Sequence, residues 1–220
     1  MRTLLVWAGL ALADEQLTFT ARWMGVEAGR AIATTLVHDD VREVTITARN
    51  AGWLDGLYPI DDRMVSEGHV SGGSIRYQTW FREGRFTQDQ DMVFNASGQH
   101  VDRRQLVDGA WKTSTGDRPN SPADQRPEDP ISAFYRIREA GLQVGERLLL
   151  DVFNGKRVVP VIVDCVRRQA LGDLEVRFVS IRSGREGDFE GGIDLDLTDA
   201  DVPALAVLQT RAGPVRIEAE

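Results

Sequence analysis

Apolar and polar residues alternate with a period of two along most of the chain from residue 16 onward. The first run places its apolar residues on one face, at Leu17, Phe19, Ala21 and Trp23. This period is typical of a half-buried β-strand, because successive side chains point to opposite faces of a sheet. Roughly ten to twelve such runs follow one another with short turns, which favours antiparallel pairing of sequence neighbours. The sequence therefore predicts a mainly β fold, a single antiparallel meander curled into an open or closed barrel.

One segment replaces this alternation with helical signals. Asp129 is a good N-cap, Pro130 suits the first helical position, and Gly141 suits the left-handed conformation that ends many helices. One face of the predicted helix carries Ile131, Phe134, Tyr135 and Arg138. We therefore expect one short α-helix whose aromatic face packs against the sheet.

Turn-forming residues and the single cysteine give three local predictions. Asn154-Gly155 stands between two apolar runs and predicts a β-hairpin with a type I′ turn. Residues 112–128 are rich in Pro, Ser, Asp and Gly, which predicts a long exposed loop. Cys165 has no second cysteine to pair with, and its apolar surroundings predict a buried free thiol in a strand.

Residues 1–13 have the features of a short secretory signal. Arg2 is positive, an uncharged apolar stretch follows, and Ala11-Leu12-Ala13 has the small-x-small form of a signal peptidase site. The alternative is a buried first strand or helix. We expect cleavage after Ala13, which leaves residues 14–220 as a single β-rich domain in the periplasm. No later segment approaches the roughly twenty apolar residues of a membrane-spanning helix, so no membrane span is expected.

Charge and motif searches argue against several classes of function. The formal net charge of -8 disfavours nucleic acid as a partner, because phosphate backbones would be repelled. His38, His69 and His100 stand at no metal-ligand spacing from one another or from Cys165, so we expect no metal. Neither a Gly-x-Ser-x-Gly elbow nor a phosphate-binding Gly-Lys-Ser/Thr loop occurs. We therefore expect no catalytic residue, no cofactor and no enzymatic activity.

Aromatic residues give the candidates for ligand binding. Trp and Tyr bring an apolar body and a polar tip to a cavity wall, although core packing is the alternative role. The candidate ligand-binding residues are Trp23, Tyr77, Trp80, Phe134, Tyr135 and Arg138. A dry pocket lined by Trp23, Trp80 and Tyr135 would favour a carrier, and close interdigitation of these three rings would favour a scaffold.

Four segments together resemble a known family. They are Arg22-Trp23-Met24-Gly25-Val26, Gly56-Leu57-Tyr58, Asp129-Pro130-Ile131-Ser132-Ala133-Phe134-Tyr135 with Arg138, and Asp194-Leu195-Asp196-Leu197-Thr198 with Val202-Pro203. In this set the chain resembles the bacterial envelope proteins of domain of unknown function family 3108 (DUF3108), and Asp-Pro-x-Ser-x-x-Tyr is the most specific part. The resemblance implies an exported β-rich protein without assigned activity, similar in fold to periplasmic lipoprotein carriers. It brings no catalytic residues.

Two hypotheses of function follow, and a third is weaker. The first is a periplasmic, non-enzymatic binding or carrier-like domain for a lipid or another apolar or amphipathic ligand. The second is an envelope-assembly scaffold or protein-interaction domain, in which an exposed strand edge or residues 112–128 bind an envelope protein. The third, an enzyme acting on envelope polysaccharide, would need paired carboxylates in one cleft. The candidates are Asp61, Asp62, Glu67, Asp89 and Asp91.

Overall fold

The computed structural model describes residues 15–95, 100–107, 109–117, 126–153, 155, 157–171, 174–183, 193–198, 203–210 and 213–220. The expected export signal, residues 1–13, lies outside the described residues, as does the stretch 118–125 of the predicted loop. The described strands are β1 (Glu15–Trp23), β2 (Val26–His38), β3 (Val41–Asn50), β4 (Asp61–His69), β5 (Ser74–Glu83), β6 (Phe86–Phe94), β7 (His100–Val107), β8 (Ala110–Asp117), β9 (Arg147–Phe153), β10 (Val158–Leu171), β11 (Leu174–Ser183), β12 (Ile193–Thr198), β13 (Pro203–Thr210) and β14 (Gly213–Ala219). The described helices are α1 (Pro130–Glu139) and a 3-10 turn (Gly52–Leu54).

The fourteen described strands join one antiparallel sheet. Sequence neighbours pair from β1 to β8 and again from β9 to β14. The first and last strands also pair, with Phe19 opposite Ala219, so that two meanders share one sheet and β8 and β9 form its edges. The predicted mainly β class, antiparallel meander and barrel-like curl are confirmed. The described sheet does not close, so the open form of the barrel is the one found. The pairing of β1 with β14 was not predicted.

The chain before α1 ties one edge of the sheet to a distant strand. The Glu128 N–H donates to the Asp151 carbonyl on β9 over 2.8 Å, and the Phe153 N–H donates to the Glu128 carbonyl over 2.8 Å. The Ser74 N–H, at the start of β5, donates to the Pro127 carbonyl over 3.1 Å. The sheet therefore curls until β9 and β5, far apart in strand order, face each other across this short segment.

Asp129 docks the helix onto the sheet. It is fully buried, and its Oδ1 accepts the N–H groups of Ile131 and Ser132 at 2.8 and 3.1 Å. Its Oδ2 accepts the hydroxyls of Ser66, Ser74 and Ser132 at 2.8, 2.6 and 2.8 Å. One carboxylate thus caps α1 and binds side chains of β4 and β5. The predicted N-cap is confirmed.

Helix α1 lies inside the curl with apolar neighbours on two sides. Ala133 and Ile137 pack in a cluster with residues of β9, β10 and β11. Ile131 and Tyr135 belong to a second cluster with residues of β3, β5, β6 and β9. Gly141 follows the last turn with φ +60°, the left-handed conformation that the sequence predicted.

Two local predictions need correction. Residues 112–117 are not loop but part of β8, where Trp111 lies opposite Leu106 of β7, because alternating β-forming residues outweigh the local Gly and Asp.

The predicted hairpin is confirmed, but Phe153 pairs directly with Val158, so four residues and not two connect the strands. Both side chains are buried, so burial sets this register. Cys165 is buried in β10, as predicted.

We expect Asp129→Ala to lower the free energy of unfolding by about 3 kcal/mol or more. Five donors lose their acceptor, and buried hydrogen bonds to a charged group contribute about 1.5–3 kcal/mol each without adding fully. Urea unfolding followed by circular dichroism measures the loss. Asp102→Ala is the control, because Asp102 is exposed and accepts one hydrogen bond, from Thr115. Equal, small losses in both variants would contradict the docking role.

Candidate functional site

An apolar cavity of about 300 Å³ lies between the concave face of the sheet and the first half of α1. The sheet contributes Leu17, Phe19, Ala31, Ala33, Val44, Ile46, Met64, Tyr77 and Ile217, and the helix contributes Pro130, Ile131, Phe134 and Tyr135. Every lining residue that the structure describes is aliphatic or aromatic. This composition and volume fit a site for a small apolar ligand.

The strand registers explain why this space is empty of side chains. Leu17, Ala33, Ile46 and Met64 stand directly opposite one another across β1 to β4. Ala33 and its neighbour on the same face, Ala31, are short where the flanking residues are long. Two methyl groups between larger side chains leave a hollow that the helix covers from above.

A buried polar cluster borders the apolar cavity at Tyr135. The Tyr135 hydroxyl is hydrogen-bonded to Thr35, and the Arg138 guanidinium donates to both carboxylate oxygens of Glu15 over 2.9 Å. This bond from Arg138 lowers the pKa of Glu15. The guanidinium groups of Arg42 and Arg138 lie 4.6 and 4.9 Å from the centre of the Tyr135 ring. The cluster ties the start of β1 to the helix.

A second cavity, of about 650 Å³, lies beside the first; we call it the amide-lined cavity. Tyr77 and Pro130 line both cavities. The other lining residues are Thr79, Phe81, Gln88, Gln90, Met92, Arg103, Gln105, Phe153 and Gly155. The hydroxyl of Thr79 is buried there without a hydrogen-bond partner. This space therefore combines amide side chains and the guanidinium of Arg103 with aromatic walls.

A third cavity, of about 560 Å³, is charged, and its lining residues are Asp40, His69, Ser71, Gly72, Gly73, Arg126, Glu128 and Arg136. Glu128 is 2% exposed, and its Oε1 lies 3.3 Å from Arg136 Nε. Its Oε2 has no hydrogen-bond partner. Burial raises the pKa of Glu128 to about 7, although Arg136 acts in the opposite direction.

Two glycines make room for the arginines of this charged cavity. Gly72 and Gly73 have φ values of +111° and +92°, which favour glycine. A Cβ on Gly72 would lie 2.9 Å from Arg136 Nε, and one on Gly73 would lie 2.7 Å from Arg126 Cβ. The double glycine is therefore required both by the turn and by the side chains packed on it.

A family model described as "Protein of unknown function (DUF3108)" matches residues 18–218. The chain belongs to this family. The resemblance predicted from the sequence is thereby confirmed. No curated protein matches the chain significantly.

Solved structures show where the fold of this DUF3108 chain occurs elsewhere. A beta-barrel-like protein of the DUF1849 family from Brucella abortus aligns with a TM-score of 0.66 and 12% identity, over 96% of this chain and 97% of that chain. A DUF1089 family protein from Pseudomonas aeruginosa aligns with a TM-score of 0.45 and 12% identity, over 92% of this chain and 95% of that chain. The first likeness supports the barrel-like fold, and at this identity it says nothing of function.

The Asp-Pro-x-Ser-x-x-Tyr segment has a physical role at each of its fixed positions. Asp129 and Ser132 belong to the hydrogen-bond network that docks the helix. Pro130 lines both the apolar and the amide-lined cavity, and Tyr135 lines the apolar cavity at its polar border. The segment therefore places the helix and also forms cavity wall.

The structure brings together three of the six predicted ligand-binding residues, since Tyr77, Phe134 and Tyr135 line the apolar cavity. Arg138 lies beside Phe134 and Tyr135 on α1, but its guanidinium binds Glu15 and does not line the cavity. Trp23 is the last residue of β1, and it is not among the residues of that strand that line the cavity, which are Leu17 and Phe19. Ligand binding by these residues stays a prediction.

Trp80 lies on the other face of β5 from the cavity. It stands three positions after Tyr77 in the strand, so the two side chains point to opposite faces of the sheet. The guanidinium of Arg63 lies 5.4 Å from the centre of the Trp80 ring. Trp80 is therefore not among the residues that line the apolar cavity with Tyr135, and ligand binding by Trp80 stays a prediction.

Sequence reasoning missed the aliphatic and amide residues of the two neighbouring cavities. Ala31, Ala33 and Met64 gave no signal apart from the alternation, and Gln90 and Gln105 have the composition of solvated strand faces. The period of two could have assigned each to a face. Which of these residues contact one another depends on strand register, and the period of two does not determine the register.

Within the ranges that the structure describes, no group of three or more His, Cys, Asp or Glu residues could hold a metal ion. No α-helix of those ranges combines the length and the apolar character needed to cross a bilayer.

We expect the stability of the domain to depend on pH through Glu128. Its folded-state pKa of about 7 lies above the ordinary value of 4.5, so the folded state binds this proton more tightly. The associated stability is fully present below pH 4.5 and is lost as the pH rises through 7, by up to about 3 kcal/mol. Glu128→Gln should remove this dependence, so the difference in unfolding free energy between the two proteins should change across that window.

Urea unfolding at pH steps from 4 to 8 measures this difference. Glu43→Gln is the control for the loss of one carboxylate, because Glu43 is exposed on β3. A difference between wild type and Glu128→Gln that stays constant from pH 4 to 8 would show that Glu128 does not titrate with a raised pKa.

Proposed function

We propose that this chain is a non-enzymatic binding or carrier-like domain that holds an apolar or amphipathic ligand, such as a lipid or acyl chain, inside its curled sheet. The apolar cavity beneath α1 carries the proposal. Its thirteen lining residues are all aliphatic or aromatic, and its volume lies within the range of about 300–1,000 Å³ that small-molecule sites occupy.

The exposure of the lining residues supports a binding site over a filled core. Leu17, Phe19, Met64 and Phe134 face the interior of the curl, yet each remains only half-buried. Large apolar side chains in a packed core lose nearly all their exposure. A bound chain would cover this surface and gain the free energy of removing it from water.

The non-enzymatic part of the proposal has two supports. Among the described residues that line the apolar cavity there is no carboxylate, histidine, lysine, serine or cysteine. Two of the carboxylates considered for polysaccharide cleavage are engaged elsewhere, since Asp61 forms an ion pair with Arg49 and Asp62 accepts the N–H of Arg82. Neither carboxylate lines the apolar cavity.

We further propose that the domain works in the periplasm after export by residues 1–13. Expression of the full chain in a Gram-negative host should yield a periplasmic protein whose first residue is Asp14. Replacing the small residue of the cleavage site, in Ala13→Arg, should leave the protein uncleaved. N-terminal sequencing and fractionation measure both outcomes, and an intact chain in the cytoplasm would contradict the proposal.

Filling the apolar cavity should abolish binding of an apolar ligand. Ala31→Leu places an isobutyl group in the hollow, and we expect it to weaken binding of a fluorescent fatty acid by about tenfold or more. Native mass spectrometry of the wild-type protein should show a co-purified apolar ligand, and the variant should lack it.

Ala110→Leu is the matched control, because Ala110 is exposed on β8, away from the cavity. It should bind the fatty acid as the wild type does. Wild-type protein that carries no ligand and binds no probe would contradict the carrier proposal, and so would an Ala31→Leu variant that binds like wild type while folded.

One observation favours the scaffold hypothesis as a second candidate. Strand β8 is an edge of the sheet, and no other described strand pairs with its outer side. Trp111 on this strand is 47% exposed, with the Arg104 guanidinium 4.9 Å from its ring. Exposed strand edges and aromatic residues suit protein partners. Recovery of a stable envelope protein that Trp111→Ala abolishes and Trp53→Ala preserves would support this candidate.

A further inference from the structure

The residues of β6 and β7 that line the amide-lined cavity alternate with the acidic residues of the same strands. The lining residues are Gln88, Gln90 and Met92 in β6 and Arg103 and Gln105 in β7. The acidic residues Asp89, Asp91 and Asp102 occupy the intervening positions, so their side chains point to the convex face of the sheet. Neither strand therefore brings a carboxylate to the cavity.

The acids of β6 on the convex face are paired with arginines there. Arg76 donates to both carboxylate oxygens of Asp91 over 2.8 and 3.1 Å. Arg82 donates to Asp89 over 2.5 Å. The guanidinium of Arg104, the convex neighbour of Arg103 in β7, lies 3.9 Å from Asp91. The convex face of this region thus carries charges of both signs.

Two cations on the concave face have no such partner. Arg103 donates from Nε to Ser114 Oγ over 3.1 Å and from Nη1 to the Gly155 carbonyl over 2.5 Å, both uncharged acceptors. Two of the five N–H groups of this guanidinium are used in this way, and three remain. Lys112 of β8 lies directly opposite Gln105 and so belongs to the same face. Among the described residues, no carboxylate forms an ion pair with either cation.

We propose that the ligand of this domain carries an anionic oxygen headgroup, a carboxylate or a phosphate, which binds the guanidinium of Arg103 and the ammonium of Lys112. The headgroup occupies the amide-lined cavity, and the apolar chain occupies the apolar cavity beneath α1. Tyr77 and Pro130 line both cavities, so one molecule can extend from one to the other. This assignment rests on the proposed function, because it presumes that the apolar cavity holds the chain.

The charge of the cavity wall separates the possible headgroups. A cationic headgroup would lie beside Arg103 without a carboxylate among the described lining residues, and like charges repel. A hydroxyl could accept from Arg103 but would gain less, because charge-assisted hydrogen bonds are about twice as strong as neutral ones. The planar guanidinium also matches the paired oxygens of a carboxylate or a phosphate. An anion therefore gains most from this wall.

The net charge of -8 does not oppose this assignment locally. It belongs to the whole chain, whereas the acids of β6 and β7 lie across the sheet from the cavity. A cleft lined by one sign of charge concentrates its field inside the cleft. An anion that enters the cavity thus meets Arg103 and Lys112 before it meets a carboxylate of these two strands.

The test keeps the tail constant and changes the headgroup. Decanoate, decyl phosphate, decanol and decyltrimethylammonium are titrated into the full chain near neutral pH, below their micelle concentrations and solubility limits, and affinities are measured by calorimetry. We expect at least one of the two anions to bind about tenfold or more tightly than decanol, and the cation to bind more weakly than decanol. Added salt should weaken binding of the anions only.

Two variants remove the cations of the concave face one at a time. Arg103→Gln should weaken binding of the preferred anion about tenfold and leave decanol binding unchanged, because only the charge-assisted bonds are lost. Lys112→Gln should act in the same direction by a smaller factor, because Lys112 is exposed. Arg104→Gln is the matched control, since it removes the same charge from the adjacent residue on the convex face, and it should change neither affinity.

The outcomes separate the headgroup assignment from the proposed function. If Arg103→Gln does not fold, Lys112→Gln and the salt dependence provide the test. Binding of none of the four compounds would overturn the proposed function itself. Equal binding of all four, tightest binding of decanol or of the cation, unchanged binding of the anion in both concave-face variants, or an equal loss in Arg104→Gln would overturn the headgroup assignment alone.

Discussion

The buried carboxylate of Asp129 is the interaction on which the rest of the architecture depends. It accepts five hydrogen bonds, two from the first turn of α1 and three from serine hydroxyls, of which Ser66 and Ser74 belong to β4 and β5. The preceding residue, Glu128, pairs with edge strand β9. The helix is thereby fixed between both arms of an open sheet. Both neighbouring cavities exist because the helix is held there, since Pro130 is wall to each.

Local features of the fold could be predicted from the sequence, and non-local ones could not. The cap at Asp129 and the end at Gly141 follow from a few adjacent residues, and both are found. The pairing of β1 with β14 joins residues about two hundred positions apart, and no local pattern encodes it. Residues 112–117 were wrongly predicted as loop, because their pairing with β7 stabilises a strand although their composition favours a loop. The cavity walls combine both kinds of information. Alternation gave the faces, and register brought Ala33 opposite Ile46 and Met64 opposite Thr79.

The carboxylates beside α1 differ in how well they are partnered. Arg138 and Glu15 satisfy each other with two bonds of 2.9 Å, so the residue predicted to contact ligand instead positions β1 against α1. The pKa of Glu15 is lowered by this bond, and its contribution to stability is lost as the pH falls. Glu128 is buried with one oxygen unpartnered, its pKa is raised, and its contribution is lost as the pH rises. Two carboxylates beside the same helix, Glu15 on β1 and Glu128 in the segment before α1, thus have opposite effects of pH, because Glu15 has a complete partner and Glu128 does not.

The fold alone does not determine the chemistry of the concave face. A barrel-like protein with 12% identity shares the architecture over nearly the whole chain, so the fold is compatible with largely different side chains. In this chain the row of opposed side chains on the concave face changes from apolar to polar where β4 meets β5, at the pair Met64 and Thr79. Neither residue of this pair is hydrogen-bonded to Asp129 in the network that docks the helix. The concave face of β5 to β7 can therefore change its chemistry while the docking network, the helix and the apolar half of the row stay in place.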